Sequence, residues 1–193
     1  MDVLNKNFII LGAILSFYGG MSYLIDTIKG KTKPNRVSWF LWALAPLIGF
    51  AAQLEKGVGL TSLMTFMVGF NPLLIVIASF VNKKAYWKLN KMDYFYGLIS
   101  IFALIIWRLT GEGNLAIFFA ILADALASIP TVIKSYHQPE TENSTIFLFG
   151  MINSGLTLLT IKDWTFAQWG FPVYIFTICI IIYLLVKFKL GKN

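Results

Sequence analysis

The sequence predicts an all-α membrane protein, with seven transmembrane helices grouped as two parallel three-helix bundles joined by a linker helix. Three observations lead there. The 193 residues are 58% hydrophobic and 13% charged, with a mean hydropathy of +0.72, whereas a soluble domain carries about 25% charged residues. The apolar residues gather in seven runs, and a helix crosses a hydrocarbon core with about 17–25 residues. Finally, the two ends of the chain repeat one another at a fixed offset. The alternating strands of about ten residues that a β-barrel needs are absent.

The first run, residues 8–25, carries the pair Gly19-Gly20, which permits close helix contact. The second, 37–53, opens on aromatics and contains Pro46 and Gly49; the third, 60–81, contains Gly69, Asn71 and Pro72. The fourth, 93–107, is short and is extended by aromatics at its ends. The fifth, 114–133, contains Asp124 and Pro130; the sixth, 145–161, contains Asn153; the seventh is 168–186. Most runs are apolar all round, so no water-exposed face is left. Lipid offers no hydrogen bonds to the backbone, which selects helices. Acidic Asp2 near Lys6, and no small-residue cleavage site after the first run, argue against a cleaved signal peptide.

The loops set an orientation. Lys6, Lys56, Arg108 and Lys162 fall on one side, four basic residues in all. Twelve fall on the other: Lys29, Lys31, Lys33, Arg36, Lys83, Lys84, Lys88, Lys91, Lys134, Lys187, Lys189 and Lys192. The positive-inside rule places the N-terminus outside and the C-terminus in the cytoplasm, with the plasma membrane as the expected location. The same asymmetry accounts for the formal charge of +7 without nucleic acid. Trp39, Tyr86, Trp87, Tyr94, Tyr96, Trp164 and Trp169 stand at segment ends, as in interfacial belts.

A shift of 108 residues lays helices one to three on helices five to seven. Asn35 then falls on Asn143, Leu60 on Gln168 and Ser16 on Asp124. Each copy reads as helix, polar loop, aromatic-opened helix: Lys33-Pro34-Asn35-Arg36-Val37-Ser38-Trp39-Phe40 and Thr141-Glu142-Asn143-Ser144-Thr145-Ile146-Phe147. One intervening helix restores the direction of the second copy, so the repeat is parallel, an arrangement found in transporters. The organisation expected is a first bundle over 1–82, linker helix four with its loops over 83–112, and a second bundle with a basic tail over 113–193.

This plan, with the fifth-helix ending Asp124-Ala125-Leu126-Ala127-Ser128-Ile129-Pro130-Thr131-Val132-Ile133-Lys134, resembles the SWEET sugar transporters and the wider PQ-loop group. Thr131 stands where the motif has glutamine, and the first copy has Ser22-Tyr23 there. The PnuC-type vitamin transporters and the seven-helix receptors that retrieve luminal proteins share the plan. The resemblance implies a carrier that moves a sugar or other small polar solute by alternating access. The alternatives are a PnuC-like vitamin transporter and a non-transporting receptor or scaffold. It also implies an asparagine contact to the solute, for which Asn71 is the similar position; helix seven offers Thr177 and Cys179 at that depth. Of a four-proline hinge set it keeps Pro46 and Pro130, with Ser154 and Ser22 at the matching positions.

The residues themselves name the remaining candidates. An acid at bilayer depth is a functional hypothesis by default, so Asp124 reads as a proton or cation site or as a hydrogen-bonded packing residue. Asn71 and Asn153 offer amide donors and acceptors to a solute, or to a neighbouring helix. Trp42 and Trp107 lie deep enough to stack on a ligand or simply to pack. Gly111-Glu112-Gly113 is an external turn, since no Lys-Ser element of a phosphate loop follows it. His137, with Glu140 and Glu142, reads as a solvated cytoplasmic loop or as a gate. A single cysteine, Cys179, excludes an internal disulfide framework and a Cys-based zinc site. No catalytic set, metal or cofactor is expected; a homo-oligomer is compatible with the plan but not required by it.

Overall fold

The computed structural model describes residues 5–85, 87–110 and 112–191, apart from the side chains of 103, 106–108 and 110. The expectations placed on Tyr86, Gly111, Lys192 and the side chains of Trp107 and Arg108 lie outside the described residues. The described residues form seven α-helices and no strand. They are α1 (Asn7–Ile28), α2 (Arg36–Glu55), α3 (Ser62–Ser79), α4 (Lys91–Thr110), α5 (Gly113–His137), α6 (Ser144–Thr160) and α7 (Phe166–Phe188). A 3-10 turn, Gly59–Thr61, leads into α3, and another, Pro139–Thr141, lies between α5 and α6. Five helices are long and apolar enough to cross a membrane: α1, α2, α3 with its leading turn, α5 and α7. The sixth helix is apolar but only 17 residues long.

Two helices start on a matched device. Asn35 caps α2, its Oδ1 accepting from Val37 N (3.1 Å) and Ser38 N (3.3 Å). Asn143 caps α6, accepting from Thr145 N (2.8 Å). An N-cap oxygen satisfies backbone donors that the first turn cannot. Both amide nitrogens then donate to acids: Asn35 to Asp93 Oδ1 (2.9 Å) and Asn143 to Asp26 Oδ2 (2.6 Å). The two caps stand 108 residues apart in the sequence.

Helix α3 packs on both α1 and α2, and α7 packs on both α5 and α6. Between these groups α1 meets α6 and α2 meets α5, while α4 lies mainly against α5. Small residues allow the close approaches: a Cβ built on Gly20 would lie 2.5 Å from the Asn71 amide, and one on Gly69 would lie 3.0 Å from the Ala43 carbonyl oxygen. Outward faces stay apolar. On α4, Phe95, Leu98, Phe102, Ile105 and Leu109 are all exposed. An apolar belt of this extent on a folded chain marks a lipid-facing or partner-facing surface, and with five candidate spans it points to an integral membrane protein.

Three expectations are corrected here. His137 is the last residue of α5, not part of a loop. Lys134, counted among the cytoplasmic basic residues, and Glu142, read as part of a solvated loop, are both buried, because each supplies the other's countercharge. Trp39, read as a belt residue, is buried, because Tyr23 and Trp42 pack on its ring at centroid distances of 4.4 and 5.2 Å.

Candidate functional site

A cavity of about 70 Å³ lies where α1, α2, α3, α5, α6 and α7 converge. Ten of its fifteen lining residues fall in pairs 108 positions apart. Ser16 and Asp124, Trp39 and Phe147, Trp42 and Gly150, Met67 and Ile175, and Asn71 and Cys179 all line it, and each pair is 108 residues apart. Ser16, Asn71 and Asp124 sit near the midpoints of their helices. The wall is otherwise apolar, so each polar group has few partners within reach.

Asp124 is 2% exposed. Its Oδ2 accepts from the Tyr174 hydroxyl at 2.6 Å, and its backbone oxygen accepts from Trp42 Nε1 at 3.2 Å. Its Oδ1 has no partner. Asn71 donates from Nδ2 to the Ser16 carbonyl oxygen (3.0 Å) and Oγ (3.2 Å), which leaves Oδ1 unpartnered. Trp42, Asn71 and Asp124 are thus brought to one cavity. Asn153 is not among its lining residues: it is 0% exposed, packs against Gly12, and has no partner for either amide atom. Thr177 is exposed and bonds back to the Val173 carbonyl, so of the two helix-seven positions Cys179 is the one on the wall.

The sequence reading missed Tyr174. Tyr174 is one of three hydroxyl residues in the seventh run, with Thr177 and Tyr183, and nothing in the sequence sets it apart from them.

One end of the cavity is capped by a buried polar cluster. Lys134 Nζ pairs with Glu142 and donates to the Lys33 carbonyl oxygen (2.6 Å). The Tyr23 hydroxyl donates to Glu142 Oε2 (2.7 Å), and Lys33 N donates to the Thr141 carbonyl oxygen (3.0 Å). Asn143 reaches Ser22 Oγ (3.2 Å) as well as Asp26. The cluster joins α1 and the loop after it to α5 and the entry to α6. It connects to the cavity through ring contacts, Tyr23 tilted on Trp39 and Trp39 edge-on to Trp42. At the opposite end Gln53 Nε2 donates to the Ala167 carbonyl oxygen (2.8 Å), and Phe171 packs on Gly49.

The positions expected as hinges divide. Pro46 and Pro130 lie inside α2 and α5, which pack on each other, and each removes a backbone donor. Ser154 Oγ donates back to the Gly150 (2.8 Å) and Met151 (3.1 Å) carbonyls, a bond that tends to bend a helix. Ser22 belongs to the polar cap instead. Two further helical prolines, Pro72 and Pro172, lie in α3 and α7. Among the described residues no three His, Cys, Asp or Glu side chains gather as a metal site. No protein-family model, curated protein or solved structure matches this chain.

Proposed function

We propose that the chain is a small-solute carrier on the SWEET and PQ-loop plan: seven spanning helices in two parallel bundles, with α4 as linker. It sits in the plasma membrane with its N-terminus outside and moves a polar solute by alternating access, with Asp124 as the proton- or cation-linked group. The observation that carries this reading is the cavity wall made of residues 108 apart. A site on a pseudo-two-fold axis presents related surfaces to both halves, which is what rocking of one half against the other requires. The polar cap supports it further. It ties the halves together at one end, and at the other Gln53 of α2 donates to the Ala167 carbonyl of α7. A cap of this kind is expected of a carrier held closed on one side.

Cys179 gives a direct test, because it is the only cysteine and lies on the cavity wall. In a carrier that opens, a small hydrophilic methanethiosulfonate reagent reaches Cys179 in native membranes, and its rate of reaction rises when the cap is broken by Glu142→Gln. A receptor or scaffold of fixed structure leaves Cys179 unmodified in both proteins.

A further inference from the structure

The polar inventory of the cavity specifies a charge. Among the described residues, Asp124 is the one acid on its wall, and no Lys, Arg or His lines it. The wall residues carry three unpaired polar atoms: Asp124 Oδ1, Asn71 Oδ1 and Trp39 Nε1. Two of the three are acceptors. Pro72 adds to the surplus, since it has no N–H to give the Val68 carbonyl, and both residues line the cavity. A buried acid without a protein cation is neutralised either by a proton or by a cation brought from outside, and the two compete for the same oxygen. The indoles of Trp39 and Trp42 and the ring of Phe147 also line it, and aromatic faces attract cations. An anion would meet Asp124 unshielded, and a sugar brings as many acceptors as donors to a wall short of donors. Size points the same way: about 70 Å³ is room for roughly five waters at 10–15 Å³ each, which suits a ligand of few heavy atoms.

Resting on the reading that this cavity is the solute site, we propose that its solute is a small organic ammonium cation. Its N–H groups bond Asp124 Oδ1 and Asn71 Oδ1, and its alkyl part lies against the aromatic rings and Ile175.

The test uses the full chain in nanodiscs and radiolabelled propylammonium as the probe. Saturable binding is expected, displaced by unlabelled propylammonium but not by a hundredfold excess of n-propanol, propionate or glucose. Asp124→Asn is expected to weaken binding at least tenfold. The proposal is overturned by three results: no saturable binding to the wild type, equal displacement by n-propanol, or unchanged affinity in a folded Asp124→Asn. If that variant does not fold, the n-propanol competition on the wild type decides alone. Failure of the carrier reading looks different. Propylammonium that binds with this selectivity, yet is not taken up by proteoliposomes, upholds the ligand class and contradicts transport. Uptake of a neutral solute without propylammonium binding contradicts the ligand class alone.

Discussion

Lys134, in the last turn of α5, and Glu142, at the entry to α6, form an ion pair that solvent does not reach; their side chains are 1% and 0% exposed. Removing one partner of such a pair leaves the other charged and buried, which costs about 3–5 kcal/mol. Glu142→Gln and Lys134→Met should therefore each lower the melting temperature in detergent sharply. The double variant Lys134→Met/Glu142→Leu should recover most of the loss. A double-mutant cycle measures this directly, and a coupling near zero would mean that the two charges are satisfied independently.

The paired caps make a second prediction. Asn35→Ala and Asn143→Ala each remove an N-cap, a loss of about 0.5–2 kcal/mol, and each also strips an acid of a donor. Asp93 keeps the Asn90 backbone N–H at 2.7 Å, and Asp26 keeps a long ion pair to Lys31 at 3.8 Å. The two substitutions should thus destabilise by similar amounts. Thermal melts that differ widely would show that only one cap carries weight.

Much of this architecture is legible in the sequence because apolar runs and helix starts are local signals. The expected second, sixth and seventh helices begin within two residues of α2, α6 and α7. Asn35 and Asn143 align by counting alone and prove to be the same cap. The pairing of Ser16 with Asp124 was likewise available from the offset, and both line the cavity. What the sequence hides is long-range. Lys134 looks like a loop charge until Glu142 and the Lys33 carbonyl are seen around its ammonium. Trp39 opens its helix as a belt residue would, and only the Tyr23 ring from α1 shows that it faces inward. Asn153 looks as available as Asn71, but it lies on the α1–α6 contact, against Gly12.

Acidity should oppose cation binding. A proton and an ammonium cation compete for Asp124, whose titratable neighbours are Tyr174, bonded to its Oδ2, and Cys179 on the same wall. Apparent affinity for propylammonium should fall as pH falls, and a folded Asp124→Asn should show weak binding with no such slope. A slope that persists in Asp124→Asn would assign the titration to another group.

Gly20 gives a steric prediction. A methyl there would lie 2.5 Å from the Asn71 amide, so Gly20→Ala must displace Asn71 or spread α1 from α3. Overpacking of this kind costs about 1–3 kcal/mol. Solute binding should weaken together with stability; a variant with normal binding and a normal melt would remove Asn71 from the site.

Orientation can be read from single cysteines placed at Lys56 and Lys84 in a Cys179→Ser background. An impermeant maleimide added to intact cells should label only the cysteine at position 56. Labelling only at position 84 reverses the proposed topology.

Uptake by proteoliposomes that contain the purified chain decides whether it transports. A panel of radiolabelled alkylammonium ions, sugars, amino acids and vitamins should include at least one solute whose uptake is saturable and accelerated by the same solute loaded inside. That uptake should be lost in Gly150→Trp, which places an indole in the cavity from the position equivalent to Trp42. If no solute crosses faster than in protein-free liposomes, or if filling the cavity leaves uptake unchanged, the carrier account is contradicted.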